Sequence, residues 1–184
     1  MTWPFADRWD RALTYEQFVK ESKEHCQLWT GVYRMARIPD WAIDRVAALG
    51  EQFRVMVLAE DWCGDASNSV PVLAKWAELA PNVELRILRR DEHPEVMDRY
   101  LTDGARSIPV AVLLTHSMEE LGSWGPRPAE LQALVMEQRR AGRTKQDYYP
   151  DVRRWYAKDR GATMLRDVLE VMERSGVGAH SHPS

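Results

Sequence analysis

The sequence is poor in sulfur nucleophiles: two cysteines in 184 residues cannot build a disulfide framework. In a reducing compartment such thiols are either buried or reactive, so each needs its own judgment. Long apolar runs are also missing. None approaches the roughly 20 residues that span a bilayer, and the opening MTWPFADRWD lacks a basic region followed by an apolar one. The default expectation is a cytoplasmic location without a membrane partner. An excess of positive charge is absent too, and a formal net charge of -3 argues against a chain built mainly to hold nucleic acid. Neither GxGxxG nor GxxxxGKS occurs, and there is no internal repeat or low-complexity segment. What is present, 45% hydrophobic and 29% charged residues, is ordinary globular material, long enough for one domain with a real core.

Periodicity supplies the elements. Over residues 14–37, Tyr15, Phe18, Val19, Cys26, Trp29, Tyr33 and Ala36 share one face of a single expected helix, with Thr14 and Gln17 at capping-box spacing. A short helix follows over residues 39–49, with Pro39 in its first turn and Gly50 closing it. The continuous apolar run at 55–59 reads as a strand buried on both faces, and VELRILRR at 83–90 as a second strand. The helix between them, residues 67–79, implies a parallel pair joined by a right-handed crossover. Further expectations are a helix at 94–101, a strand at 107–115 and a short strand with a sharp loop at 119–128. A helix at 128–140 and two helices over 144–175 hinged at Gly161 come next, and the final GVGAHSHPS reads as a frayed tail.

The stretch EDWCGDAS, residues 60–67, carries the chemistry. Cys63 follows a buried strand and precedes a helix, so its sulfur should meet the free N–H groups of a helix N-terminus, where thiolate is favoured. A helix end contributes only about 0.3 to 1 kcal/mol, and Asp61 and Asp65 oppose it. Moderate activation of Cys63 is the expectation.

Trp62 before Cys63, Gly64 after it, Pro71 eight positions beyond and Pro109 in RSIPV together resemble the thioredoxin superfamily over about residues 54–140. The strings EDWCGDA, LRRDEHPEVMDRYLTDGARSIP, WGPRP and WYAKDRG are similar to a bacterial thioredoxin-like branch over nearly the whole chain. The resemblance implies an α/β fold, a three-layer α/β/α sandwich with a small mixed sheet and helical extensions at both ends. Its expected parts are an N-terminal extension over 1–50, a core over 51–141, C-terminal helices over 142–175 and a tail over 176–184. It also implies a usually cis Pro109 facing the cysteine, and rim positions for Trp62 and Trp124.

Two departures stand out. Ala66 holds the place of the second cysteine, and Val57 that of the buried carboxylate six residues before the nucleophile. Glu60 or Asp61 is left to tune protons or charge. A monothiol mechanism survives: Cys63 acts as catalytic nucleophile on a disulfide or oxidised thiol of a protein or small molecule. A small thiol such as glutathione or bacillithiol then resolves the adduct as co-substrate, with no bound cofactor and no metal. Trp62, Gly64, Asp65, Ala66, Ile108, Pro109 and Trp124 would shape the site. The competing reading is a redox-inactive thioredoxin-like module that binds a protein or peptide at the Pro109 edge and Trp124 loop.

Other features have plainer readings. Cys26 lies on an apolar stripe and is expected in the core, as is Trp76. Nine basic residues over 139–166, interleaved with Tyr148, Tyr149, Trp155 and Tyr156, could suit single-stranded nucleic acid. A docked helix with solvated arginines is the preferred account. His93 and His116 are expected in solvent-facing loops, and His180 with His182 forms a poor metal pair.

Overall fold

The computed structural model describes residues 5–179. Its sheet runs β2-β1-β3-β4, with β1 at Phe53–Ala59, β2 at Val83–Arg89, β3 at Val110–Thr115 and β4 at Glu120–Trp124. In chain order the helices are α1 (Phe5–Trp9), α2 (Tyr15–Glu21), α3 (Cys26–Met35), α4 (Asp40–Ala48) and α5 (Gly64–Leu79). They continue with α6 (Pro94–Met97), α7 (Ala129–Arg140), α8 (Lys145–Asp159) and α9 (Ala162–Ala179).

The apolar run of β1 is explained by its place. It pairs in parallel with β2, Phe53 opposite Val83, and antiparallel with β3, Leu58 opposite Val110. Both of its edges are therefore used, and Val55 through Ala59 are fully buried. The parallel pair requires a long connection, which α5 supplies. Pro71, buried inside α5, has no N–H to offer the Ser67 carbonyl one turn back. The outer edge of β2 is covered by Leu13, which exchanges two backbone hydrogen bonds of 2.8 Å with Ile87. Strand edges left bare invite pairing with other chains, and this bridge shortens the bare stretch.

The helix expected over 14–37 is two helices. The Thr14–Gln17 capping box starts α2, but Ser22 is extended and His25 is left-handed at φ 53. The physical cause lies elsewhere in the chain: the Asp61 carboxylate accepts the N–H groups of Lys23 at 2.7 Å and Glu24 at 3.3 Å. Donors turned toward that carboxylate cannot continue a helix ladder. The break also turns Cys26 out of the core, correcting the expectation of a packed cysteine. Cys26 is exposed, and its thiol donates to the Ser22 carbonyl at 3.2 Å.

Burial pushes the Asp61 carboxyl up, and the two N–H groups, joined by the Arg89 cation and the Trp62 N–H, pull it further down, leaving it below its ordinary value. Replacing it should therefore cost stability that is fully present above the unfolded carboxylate range and fades as pH falls through the folded one. Asp61→Ala is expected to lose about 1–2 kcal/mol at neutral pH, a difference that urea unfolding should find smaller in acid.

Other bounds also differ: α1 is not among the expected elements, β1 begins at Phe53 rather than 55, and α5 begins at Gly64 rather than 67. α6 stops at Met97, short of residue 101, because Thr102 and Ala105 close a tight bridge through two 2.9 Å bonds around left-handed Asp103 and Gly104. The strand expected from 107 begins at Val110, after Pro109. α9 continues through Ala179, into the stretch expected to be frayed; His180 and His182 lie outside the described residues. His93 is half-buried and His116 exposed.

The main core joins the sheet to α5, α9 and the N-terminal helices, with Phe18 and Trp29 ring centroids 4.8 Å apart. Trp76 is fully enclosed, its indole N–H donating to the Ala42 carbonyl at 2.9 Å. A second apolar cluster of Leu131, Val135, Tyr148, Val152 and Tyr156 joins α7 to α8. Thus α8 is docked by its aromatic face, and Arg153 and Arg154 are exposed. No helix among the described residues is long and apolar enough to cross a membrane.

Candidate functional site around Cys63

Cys63 is the N-cap of α5. Its sulfur accepts the Ala66 N–H at 3.5 Å, and its thiol donates to the Ile108 carbonyl at 3.5 Å. The next peptide bond, Ile108 to Pro109, is cis. Ala66, fully buried, stands where a second thiol would be, and Val57 is enclosed in β1. Trp62, 39% exposed, lies beside the cysteine, with the Arg90 guanidinium 4.8 Å from its ring centroid.

The expected activation of Cys63 is overturned. Burial, at 8% exposure, pushes the thiol above its ordinary value, and the charge of Asp65 adds to this. The N–H groups of Ala66 and Asp65 and the cation of Lys145 pull the other way without prevailing. A helix end is worth too little to offset removing a thiolate from water. Cys63 is therefore a shielded thiol at neutral pH, and exposed Cys26 should react first. Brief treatment with iodoacetamide at pH 7 is expected to label Cys26 well before Cys63, as read by peptide mass.

Asp65 is more than a first-turn acid. Buried at 4% exposure, it receives a two-pronged contact from Arg127, Nε to Oδ1 at 2.9 Å and Nη2 to Oδ2 at 2.6 Å. The Tyr156 hydroxyl donates to Oδ1 at 2.7 Å, and Arg127 Nη1 also donates to Gln132 at 2.8 Å. Burial works against the Arg127 charge, and the Asp65 carboxylate outweighs it. The loop carrying Arg127 is set by Gly125, left-handed at φ 129, where a Cβ would overlap the Pro109 carbonyl. One network therefore ties α5, the loop before α7 that packs on Pro109, and α8 together beside Cys63.

Gly64 completes the link to α8. A Cβ there would overlap the Tyr149 hydroxyl and the ring carbon bearing it. That hydroxyl is buried without a hydrogen-bond partner. Burial pushes it up, and the charges of Asp65 and Cys63 add to the effect.

Glu60 and Asp61 face other groups. Glu60 accepts the Asp91 N–H at 2.9 Å, and burial pushes its carboxyl up. Asp61 holds the turn between α2 and α3, as described. The main charges acting on Cys63 are Asp65 and Lys145, and Arg127 also couples to it. Trp124, expected at the rim, is 7% exposed; its indole N–H donates to Asp167 of α9 at 3.1 Å, so it packs β4 against that helix. Sequence reasoning missed Arg127, Lys145, Tyr149 and Tyr156 as neighbours of the site. The available signal was Asp65, since a carboxylate on a buried helix demands a cation.

Two solved structures share this architecture. A Pseudomonas aeruginosa protein of unknown function superposes with a TM-score of 0.73 at 20% identity, covering 93% of this chain and 98% of its own. An HIV epitope-scaffold gives 0.71 at 18% identity, covering 92% and 97%. At such identities the likeness concerns the fold alone. Among curated proteins none matches. A thioredoxin family model matches residues 12–144, most of the chain and all of the sheet, so the protein belongs to the thioredoxin family.

Proposed function

We propose that the protein is a monothiol thiol-disulfide oxidoreductase in which Cys63 forms mixed disulfides that an external thiol resolves. The seat of the sulfur supports this reading. It caps α5 within 3.5 Å of the Ala66 N–H and the Ile108 carbonyl, next to Pro109. Cys63 first gives its proton to solvent. Its thiolate then attacks the small-thiol sulfur of a mixed disulfide on a substrate. The Cys63 S–S bond forms as the substrate S–S bond breaks, and the substrate leaves as thiolate and takes up a proton. A second small thiol, as thiolate, attacks the adduct and departs as the symmetrical disulfide, regenerating Cys63. The substrate sulfur is reduced and the small thiol, of the glutathione or bacillithiol class, is oxidised. With Ala66 in place of a resolving cysteine, the second step belongs to the external thiol.

The shielded thiol makes this a slow reagent at neutral pH. It equally favours a second reading, a thioredoxin-like module that binds a protein or peptide without turnover. Intact mass separates them. In a Cys26→Ser background, oxidised glutathione is expected to leave one glutathione on the protein, lost in Cys63→Ser. No adduct would sink the enzymatic reading, and partner binding that survives Cys63→Ser would support the module.

A further inference from the structure

Lys145, Tyr149 and Arg153 recur every fourth residue and form one stripe on α8. The Lys145 ammonium lies 5.2 Å and the Arg153 guanidinium 5.4 Å from the Tyr149 ring centroid. Among the described residues neither cation has a carboxylate partner. The acids of this part of α8 are committed elsewhere: Asp147 to the Thr144 N–H and hydroxyl, Asp151 to Arg154 and Arg143. Thr144 and Gln146 join the stripe to line a shallow groove of about 470 Å³, open to solvent. The groove and the Cys63 turn share one residue, Tyr149, which lines the groove with its ring and reaches Gly64 with its hydroxyl. That hydroxyl fills the space in front of Gly64, buried and without a partner. Lys145 acts electrostatically on Cys63.

The geometry points to a carboxylate subsite on α8, in which Lys145 and Arg153 hold the acidic groups of the low-molecular-weight thiol that exchanges with Cys63. The two cations bracket Tyr149, with backbone positions about 12 Å apart by the helical rise. That arrangement fits a thiol carrying an acidic group on either side of its sulfur. Because α8 begins just past the residues matched to the family, this subsite lies outside the part that the family model covers. This inference rests on the monothiol reading of Cys63, and its test separates the two.

In the Cys26→Ser protein, the rate of Cys63 adduct formation would be measured with oxidised glutathione and with uncharged hydroxyethyl disulfide. Any effect of Lys145 on the thiolate itself acts on both reagents and cancels in their ratio. In Lys145→Gln/Arg153→Gln the glutathione-to-hydroxyethyl ratio is expected to fall about five- to tenfold, and in the parent it should fall with added salt. An unchanged ratio overturns the subsite. If neither reagent forms an adduct, the monothiol reading fails by itself. The subsite is then read from S-methylglutathione titrated into Cys63→Ser: binding weakened by the double substitution supports it, and absent or unchanged binding overturns it. Both side chains are exposed, so the variant should fold as the parent does.

Discussion

Arg127→Ala should lower the stability of the protein by about 3–5 kcal/mol, the cost of leaving a buried charge without its partner. The Asp65 and Arg127 side chains are 5% and 12% exposed, so water cannot take over the lost contacts. Arg127 also carries the bond to Gln132, which goes with it. The measurement is urea unfolding of parent, Arg127→Ala, Asp65→Ala and the double variant. The double variant should recover much of the loss, since removing both charges is less costly than orphaning one. A change under about 1 kcal/mol would place the pair with weak surface bridges. The substitution also reaches the sulfur. Asp65 already raises the Cys63 thiol, and without Arg127 beside it the carboxylate acts unopposed. Alkylation of Cys63 at a fixed pH should therefore slow further in Arg127→Ala under conditions where it remains folded.

Gly64→Ala should destabilise by about 2–3 kcal/mol, in the range of overpacked cores. By propensity alone the change in a helix favours alanine, by roughly 1 kcal/mol. Steric conflict reverses that sign, because the added methyl meets the Tyr149 hydroxyl and ring. The prediction is thus a dependence on a residue far along the chain: in a Tyr149→Ala background, Gly64→Ala should cost nothing or become stabilising. Thermal unfolding of the four proteins decides it. Equal cost in both backgrounds would mean that Tyr149 does not close over Gly64.

These two predictions also mark where the sequence stopped being legible. β1, α5 and the position of Cys63 at the helix cap follow from local pattern, since a doubly buried strand is continuously apolar and a helix must start after it. The motif residues Trp62, Gly64, Pro71 and Pro109 carried the family. What local pattern could not carry was partner choice across the chain. The break between α2 and α3 is imposed by Asp61, 38 positions from Lys23. Asp65 finds its cation 62 positions away and its tyrosine 91 away. Trp124 read as a rim residue, and only the docking of α9 encloses it. The thiol shows the same limit. The Ala66 N–H does act on the sulfur in the expected direction, but burial, a property of the assembled fold, outweighs it.

The most direct test of the account is the rate of Cys63 adduct formation with oxidised glutathione across pH, followed by intact mass in Cys26→Ser protein. One adduct is expected, absent in Cys63→Ser, whose rate keeps rising as pH passes through the ordinary thiol range and shows no plateau near neutrality. No adduct at any pH where the protein stays folded would contradict the monothiol role, and a plateau near neutrality would contradict the shielded thiol.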